Sequence, residues 1–205
     1  SDNERAQRNT GIIKAMTEAN MPMDARAAFD LSNAQVTAGN LEQADATLRF
    51  AISLATNDLD RYNYRLSRAY VSIQRCQYEP ALQEAFAAVS LVPELQDAYF
   101  FAAEALFSMG RWNGCVEWYE RGVSRQPVLL SKDQPLMRHV QPRGQAAISM
   151  LHLGEYDKAQ KLIEECVREY PESPLTKLLI ERVTVDVRRK HLHDALETAL
   201  TVLAE

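Results

Sequence analysis

The sequence has little of what tightly turned, disulfide-bonded or membrane-spanning proteins need. Seven glycines and eight prolines in 205 residues disfavour an all-β fold with many tight turns. The cysteines at 76, 115 and 166 are odd in number and widely spaced, which favours free thiols over a disulfide framework. No apolar run approaches the roughly 18 residues of a membrane helix, so no membrane partner is expected. We therefore expect a reducing compartment, the cytoplasm first and the nucleus as the alternative.

Chemical motifs are also scarce. There is no Cys-x-x-Cys pair, no glycine-rich phosphate loop and no Gly-x-Ser-x-Gly nucleophile motif. His191 and His193 stand in a His-x-His pattern without a nearby third ligand, and we predict that they lie in an exposed turn or cap a helix. Acidic residues such as Glu42 and Asp45 are expected on solvent-exposed helix faces. The sequence thus predicts no enzyme, no cofactor and no metal site.

The charge balance excludes another class of partner. The chain has 23 Lys and Arg against 28 Asp and Glu, a net charge of −5. Nucleic acids and anionic membranes are bound by clustered cations, so the acidic balance and the absence of a basic stripe disfavour both partners.

What the sequence does contain is a repeat. Cys115 lies 34 residues after Ala81, and Pro127 lies 34 residues after Pro93. Related turn-plus-small-residue patterns recur around Ala44, Ala159 and, more weakly, Ala195, so that the successive spacings are 37, 34, 44 and 36 residues. A period of this length is the signature of a repeat architecture rather than of one central core with an enzyme cleft.

Each repeat unit is predicted to contain two helices. Apolar residues recur at helical spacing in the first helix, which ends at a glycine (Gly39, Gly110 or Gly154) or, in one unit, at Cys76. A small residue is then needed wherever the two helices cross closely, since a larger side chain would separate them. The five residues predicted at these crossings are Ala44, Ala81, Cys115, Ala159 and Ala195.

This pattern resembles the tetratricopeptide repeat (TPR), which implies an all-α protein, an α-solenoid of about five helix-turn-helix units in a right-handed superhelix. We expect residues 1–24 to be a flexible segment with a short amphipathic helix carrying Ile12, Ile13 and Met16. Residues 25–129 would form units one to three, 130–142 an insertion or bend, and 143–205 units four and five. The final helix, 194–205, is apolar without a polar cap, so further repeats or a partner are expected at that end.

The resemblance also implies that the first helices line a concave groove whose exposed residues select the partner. The first three units resemble co-chaperone TPR blocks, in which a Lys and Asn clamp holds a chaperone's C-terminal carboxylate. The clamp's five positions fall on Phe29, Asn33, Ser67, Asp97 and Phe101, and only Asn33 matches. A carboxylate needs cationic donors, so this ligand is not expected.

The predicted groove is apolar and aromatic instead. Its predicted partner-binding residues are Arg26, Phe29, Asn33, Leu66, Tyr70, Asp97, Phe100, Phe101 and Glu104, with Ile73 and Phe107 nearby. Such a stripe more often packs between helices, which is the first interpretation here. Exposure of three or more of its members would instead favour an apolar helix or extended segment as the occupant, the chain's own N-terminal segment included.

Three functions remain open from the sequence. The first is a non-catalytic interaction scaffold, with a protein or peptide in the concave groove. The second is a co-chaperone or adaptor fragment of a larger protein of the J-domain, phosphatase or ligase type. The third is a structural subunit that assembles through the ends of the solenoid.

Overall fold

The computed structural model describes residues 23–126, 140–171, 180–181 and 183–194. Within these ranges the chain is helical without strands, apart from one isolated bridge between Leu95 and Gln126, so the all-α prediction is confirmed. The helices are α1 Ala25–Thr37, α2 Leu41–Leu54, α3 Asp58–Gln74, α4 Tyr78–Leu91, α5 Asp97–Ser108, α6 Trp112–Val123, α7 Gln141–His152 and α8 Tyr156–Glu169. Residues 183–194 are also helical. Among the described helices, none combines the length and the apolar character that a membrane span requires.

Two of the first helices begin at side-chain caps. Asp24 accepts a hydrogen bond from the backbone N–H of Ala27 at 2.7 Å, before α1. Asn57 does the same for Asp60 at 2.8 Å, before α3. Each cap satisfies one of the N–H groups that the first turn of a helix leaves without a backbone acceptor.

The turn inside each unit has the same three-residue form in all four described units. Its middle residue is in the left-handed region, with φ of 78° at Gly39, 57° at Cys76, 70° at Gly110 and 79° at Gly154. The following N–H reaches back five residues, as from Asn40 to the Gln35 carbonyl at 2.8 Å. This Schellman-type closure confirms the predicted turns, with Cys76 in the place of a glycine.

The small residues predicted at the helix crossings are buried. Ala44, Ala81, Cys115 and Ala159 have no exposed surface, and Ala195 lies outside the described residues. Cys166 is buried in the same way, and both buried cysteines are free. Burial raises the pKa of the Cys115 thiol to about 11, although a hydrogen bond with Ser149 opposes the shift. Such a thiol stays protonated at neutral pH and acts as a small apolar side chain.

Only some of the predicted boundaries between segments and repeat units lie within the described residues. Helix α7 begins at Gln141, two residues before the expected start of unit four, and Pro142 occupies its first turn, where a missing N–H costs nothing. The expected N-terminal helix through Ile12 and Met16, most of the insertion at 130–142 and the residues after 194 lie outside the described ranges.

Two expectations about polar residues are wrong. Residues 183–194 form a continuous helix, so His191 and His193 do not lie in a turn. No glycine or proline interrupts this stretch, which explains why the helix continues there. Asp45 is buried rather than solvent-exposed, because arginines of α2 and α3 surround its carboxylate.

Candidate functional site

The first helices of successive units lie next to one another. Helix α3 contacts α5, and α5 contacts α7, whereas no two second helices in the described residues make comparable contact. An array in which one set of helices packs more closely than the other curves towards that set. We call the surface formed by α1, α3, α5 and α7 the inner face.

The aromatic residues predicted for this face mostly pack between helices. Phe29 stacks on Tyr64 of α3 with ring centroids 4.7 Å apart, and Phe100 stacks on Tyr119 of α6 at 5.8 Å. Phe101 packs against two buried clusters, one of which includes Leu66. None of the seven apolar stripe residues belongs to the exposed large hydrophobics of the described chain. The broad exposed aromatic patch that would mark an apolar groove is therefore not present there.

Two of the predicted groove residues are buried. Leu66 and Asp97 are each only 9% exposed, so the register that placed them on the groove surface is wrong for both. Leu66 packs with Tyr62 between α3 and its neighbours. Asp97 is the first residue of α5, where a carboxylate is favoured by the positive end of the helix dipole.

At the N-terminal end of the inner face, polar residues remain accessible. Asn33 and Arg26 are exposed on α1. The Arg26 guanidinium lies 3.4 Å from Asp30 and 5.8 Å from the centroid of the Phe29 ring. Arg26, the one cation within Ala25–Thr37, is therefore already paired with an acid and an aromatic ring, which differs from a clamp built for a carboxylate.

The centre of the inner face holds an acid between two amides, which we call the Glu104 cluster (Glu104, Gln141 and Gln145). Gln141 of α7 donates a hydrogen bond from Nε2 to Glu104 Oε1 of α5 at 2.9 Å. Burial raises the pKa of the Glu104 carboxyl, and hydrogen bonds from Gln141 and Gln145 oppose part of that shift. Gln145 Oε1 is buried without a hydrogen-bond partner in the described structure.

In chemical terms, this arrangement presents hydrogen-bond acceptors. An unpartnered buried carbonyl costs roughly 1–3 kcal/mol, and a donor from a ligand would recover that cost. Tyr70 of α3 and Phe101 of α5 are half-buried on the same set of helices. The described residues contain no group of three side chains able to hold a metal ion.

Sequence reasoning missed a network of buried and half-buried charges that joins α2, α3 and α4 in the described residues. Arg68 of α3 donates to Asp45 of α2 at 2.8 Å and also pairs with Glu84 of α4. Arg65 donates to Glu84 at 2.8 Å. Arg65 and Arg68 of α3, and Arg75 directly after it, follow one another at helical spacing, which was the available signal.

Comparison with known proteins bears on the fold. A crystal structure of MamA superimposes with a TM-score of 0.64 at 14% identity, over 86% of this chain and 88% of that one. A putative kinesin light chain of Podospora anserina with nearly identical TPR-like repeats gives 0.63 at 18% identity, over 87% and 94%. A chain of the APC/C Cut9–Hcn1 hetero-tetramer gives 0.63 at 16% identity, over 83% of this chain and 32% of that one.

These similarities concern structure alone. No protein-family model matches the sequence, and no curated protein is significantly similar to it. At such identities the shared property is the arrangement of helices. The α-solenoid of TPR-like units expected from the sequence is confirmed.

Proposed function

We propose that this chain is a non-catalytic interaction scaffold that binds a segment of a partner protein along its inner face. The observation that carries the proposal is the Glu104 cluster, where the buried Gln145 Oε1 has no hydrogen-bond partner in the described residues. Buried carbonyls are normally paired, so Gln145 Oε1 would gain a partner if its side chain turned towards a bound segment. Solenoid folds commonly use such extended inner surfaces for binding.

The chemistry of the cluster indicates the kind of segment. A partner backbone N–H would donate to Gln145 Oε1, and a partner cation or N–H would meet the Glu104 carboxylate. An apolar partner side chain would pack against the half-buried rings of Tyr70 and Phe101. The proposed ligand is therefore a neutral or basic peptide with at least one apolar anchor.

Site-specific photo-crosslinking tests the location of binding. A photoreactive amino acid at Asn33, Gln74 or Ser108, all exposed on first helices, should crosslink a partner. The same amino acid at Gln83 or Glu120, exposed on second helices, serves as the matched control. Equal or stronger crosslinking from the second helices would contradict the proposal.

With a partner identified, Phe101→Ala measures the apolar anchor. We expect the substitution to weaken binding by more than about 1 kcal/mol, as for an interface hot spot. Phe101 also packs against two buried clusters, so the substitution can lower stability as well. The thermal unfolding of the variant is therefore measured together with its affinity. A loss of stability with unchanged affinity would remove Phe101 from the binding surface.

Two further elements belong to the proposal. The N-terminal segment, with its apolar Ile12, Ile13 and Met16, competes for the inner face, and its removal would then raise affinity for an added partner. Unchanged affinity after removal of residues 1–22 would exclude self-occupation and leave partner binding intact.

A cytoplasmic location is proposed from the three free thiols, two of them buried.

A further inference from the structure

A cavity of about 330 Å³ opens between α7, the start of α8 and the helix formed by residues 183–194. Its apolar side is formed by Ile148, Leu151 and Tyr156. Its other side carries Arg189, Lys190 and His193 of the last described helix. We call it the terminal pocket. Its volume lies at the lower end of the range for ligand pockets, roughly 300–1,000 Å³, which suits one or two side chains.

The walls of the terminal pocket are held in place by packing outside it. Val183 and Val187 are buried in the cluster that also contains Leu151, which fixes the last described helix against α7. His152, also on the rim, stacks on Trp112 with ring centroids 4.2 Å apart and planes 8° from parallel. The pocket is therefore a preformed feature.

The rim is basic in a chain that is otherwise acidic. Residues 188–193 read Arg-Arg-Lys-His-Leu-His, a dense basic run in a protein of net charge −5. Asp186 lies 3.8 Å from Arg189, and Asp194 pairs with Lys190. Among the charged residues that line the pocket, Arg189 and Lys190 outnumber the one acid, Asp186. The local balance thus remains positive.

We propose that the terminal pocket binds an acidic peptide segment that also carries an apolar residue. The apolar side chain would occupy the space between Ile148, Leu151 and Tyr156, and flanking carboxylates would meet Arg189 and Lys190. An arginine guanidinium pairs with a carboxylate through two parallel hydrogen bonds. The Arg189 side chain is 78% exposed and able to reorient towards such a ligand.

A nucleic acid fits the terminal pocket less well. Its apolar side offers nothing to a phosphate backbone, whereas it can take an apolar side chain of a peptide. The pocket shares no residue with the Glu104 cluster, so substitutions can test the two places separately.

The test uses a fluorescein-labelled peptide of alternating glutamate and leucine, with binding followed by fluorescence anisotropy. Wild-type protein should bind it and lose affinity as salt rises, because the rim charges are exposed. Arg189→Glu should weaken binding roughly tenfold, since it places a like charge against the ligand carboxylates. Arg188→Glu is the matched control, because Arg188 is exposed on the same helix and does not line the pocket. It should leave the affinity within about twofold.

Changes in the peptide test the apolar side without altering the protein. Replacing its leucines with serine should abolish binding if the pocket, rather than the charge alone, holds the ligand. Equal losses in Arg188→Glu and Arg189→Glu, or equal affinity for the serine peptide, would overturn the proposal in favour of general electrostatic attraction. Tighter binding of a single-stranded oligonucleotide than of the peptide, or absence of peptide binding at about 1 mM, would also overturn it.

Discussion

The same pair of positions is joined by charge in one unit and by aromatic rings in the next. Arg65 of α3 forms an ion pair with Glu84 of α4, with Nη1 and Oε2 2.8 Å apart. The residues 34 positions further along are Tyr99 of α5 and Trp118 of α6, whose ring centroids lie 5.6 Å apart. The two contacts perform the same task, which is to hold the first and second helix of a unit together.

The difference shows what the repeat requires and what it leaves free. Ala81 and Cys115, at equivalent crossings of the two units, both have no exposed surface. Close approach of the backbones is therefore common to both units, while the chemistry beside the crossing differs. We call the first the ionic interface (α2, α3 and α4, centred on Arg68) and the second the aromatic interface (α4, α5 and α6, centred on Trp118).

The substitution with the largest expected effect removes Arg68, the centre of the ionic interface. Arg68→Ala removes one charged hydrogen bond to Asp45 and one to Glu84, both of which remain buried. We expect a loss of roughly 3 kcal/mol in the free energy of unfolding, measured by urea denaturation, since hydrogen bonds to buried charges are the strong ones.

The control is Lys158→Ala, which removes an ion pair with Glu155 at 3.0 Å on an exposed surface. It should cost less than about 1 kcal/mol. If the two substitutions have the same effect, the arginine network does not hold the units together.

The second prediction concerns Gly122→Ala, a substitution that disturbs the aromatic interface. A Cβ added at Gly122 of α6 would lie 2.8 Å from Phe100 Cε1 and 2.9 Å from Tyr99 Cβ. Tyr99 Cβ cannot move without its backbone, so α5 and α6 must separate. Gly122→Ala should therefore cost about 1–3 kcal/mol, even though alanine is the better helix former.

Gly114→Ala on the same helix is the matched control for that experiment. Its added Cβ would meet only the end of the Leu106 side chain at 3.3 Å, which can shift. Helix propensity should then dominate, with unchanged stability or a gain of up to about 1 kcal/mol. A destabilised Gly114→Ala together with a neutral Gly122→Ala would refute the close approach of α5 and α6.

The turns and crossings could be predicted from the sequence because each depends on one residue type at a fixed spacing. Glycines at 39, 110 and 154 predict turns from local backbone conformation, independently of tertiary contacts. The burial of Asp45 could not be found in this way, since periodicity assigns an acid to solvent and does not show that Arg68 of another helix lies opposite. Of the candidate sites, Glu104 was predicted as a single residue. Its cluster depends on the contact between α5 and α7, which are not consecutive in the chain, and periodicity alone does not show that they meet.

Acid should distinguish the two interfaces. Burial alone raises the pKa of the Asp45 carboxyl, but hydrogen bonds from Arg49 and Arg68 outweigh it and hold the pKa below 3.8. A group whose pKa is lowered by folding adds stability above its unfolded pKa, and that contribution disappears as pH falls through the folded value. Asp45→Asn should thus destabilise by roughly 1–2 kcal/mol near neutral pH and by less in strong acid, in urea denaturation across pH.

Gly122→Ala provides the comparison, because no ionisable carboxylate takes part in the contacts it disturbs. Its cost should stay the same over the whole pH range. An Asp45→Asn effect that is equally independent of pH would mean that Asp45 contributes through packing rather than through charge.

The smallest expected effect concerns the turns that precede the second helices of the two interfaces. The ionic unit turns at Cys76 with φ of 57°, whereas the aromatic unit turns at Gly110 with φ of 70°. A side chain in the left-handed region costs roughly 1–2 kcal/mol, partly offset because glycine loses more backbone entropy on folding. Cys76→Gly should therefore raise the free energy of unfolding by about 0.5–1 kcal/mol in urea denaturation.

The reverse substitution, Gly39→Ala, isolates the backbone contribution, because a Cβ there would meet no atom within 4 Å. It should lower stability by about 1 kcal/mol. If Cys76→Gly is destabilising while Gly39→Ala behaves as expected, the Cys76 side chain contributes a contact that outweighs its backbone strain. The ionic unit would then depend on its turn residue as well as on its arginines, and the difference between the two units would extend from the interface to the turn.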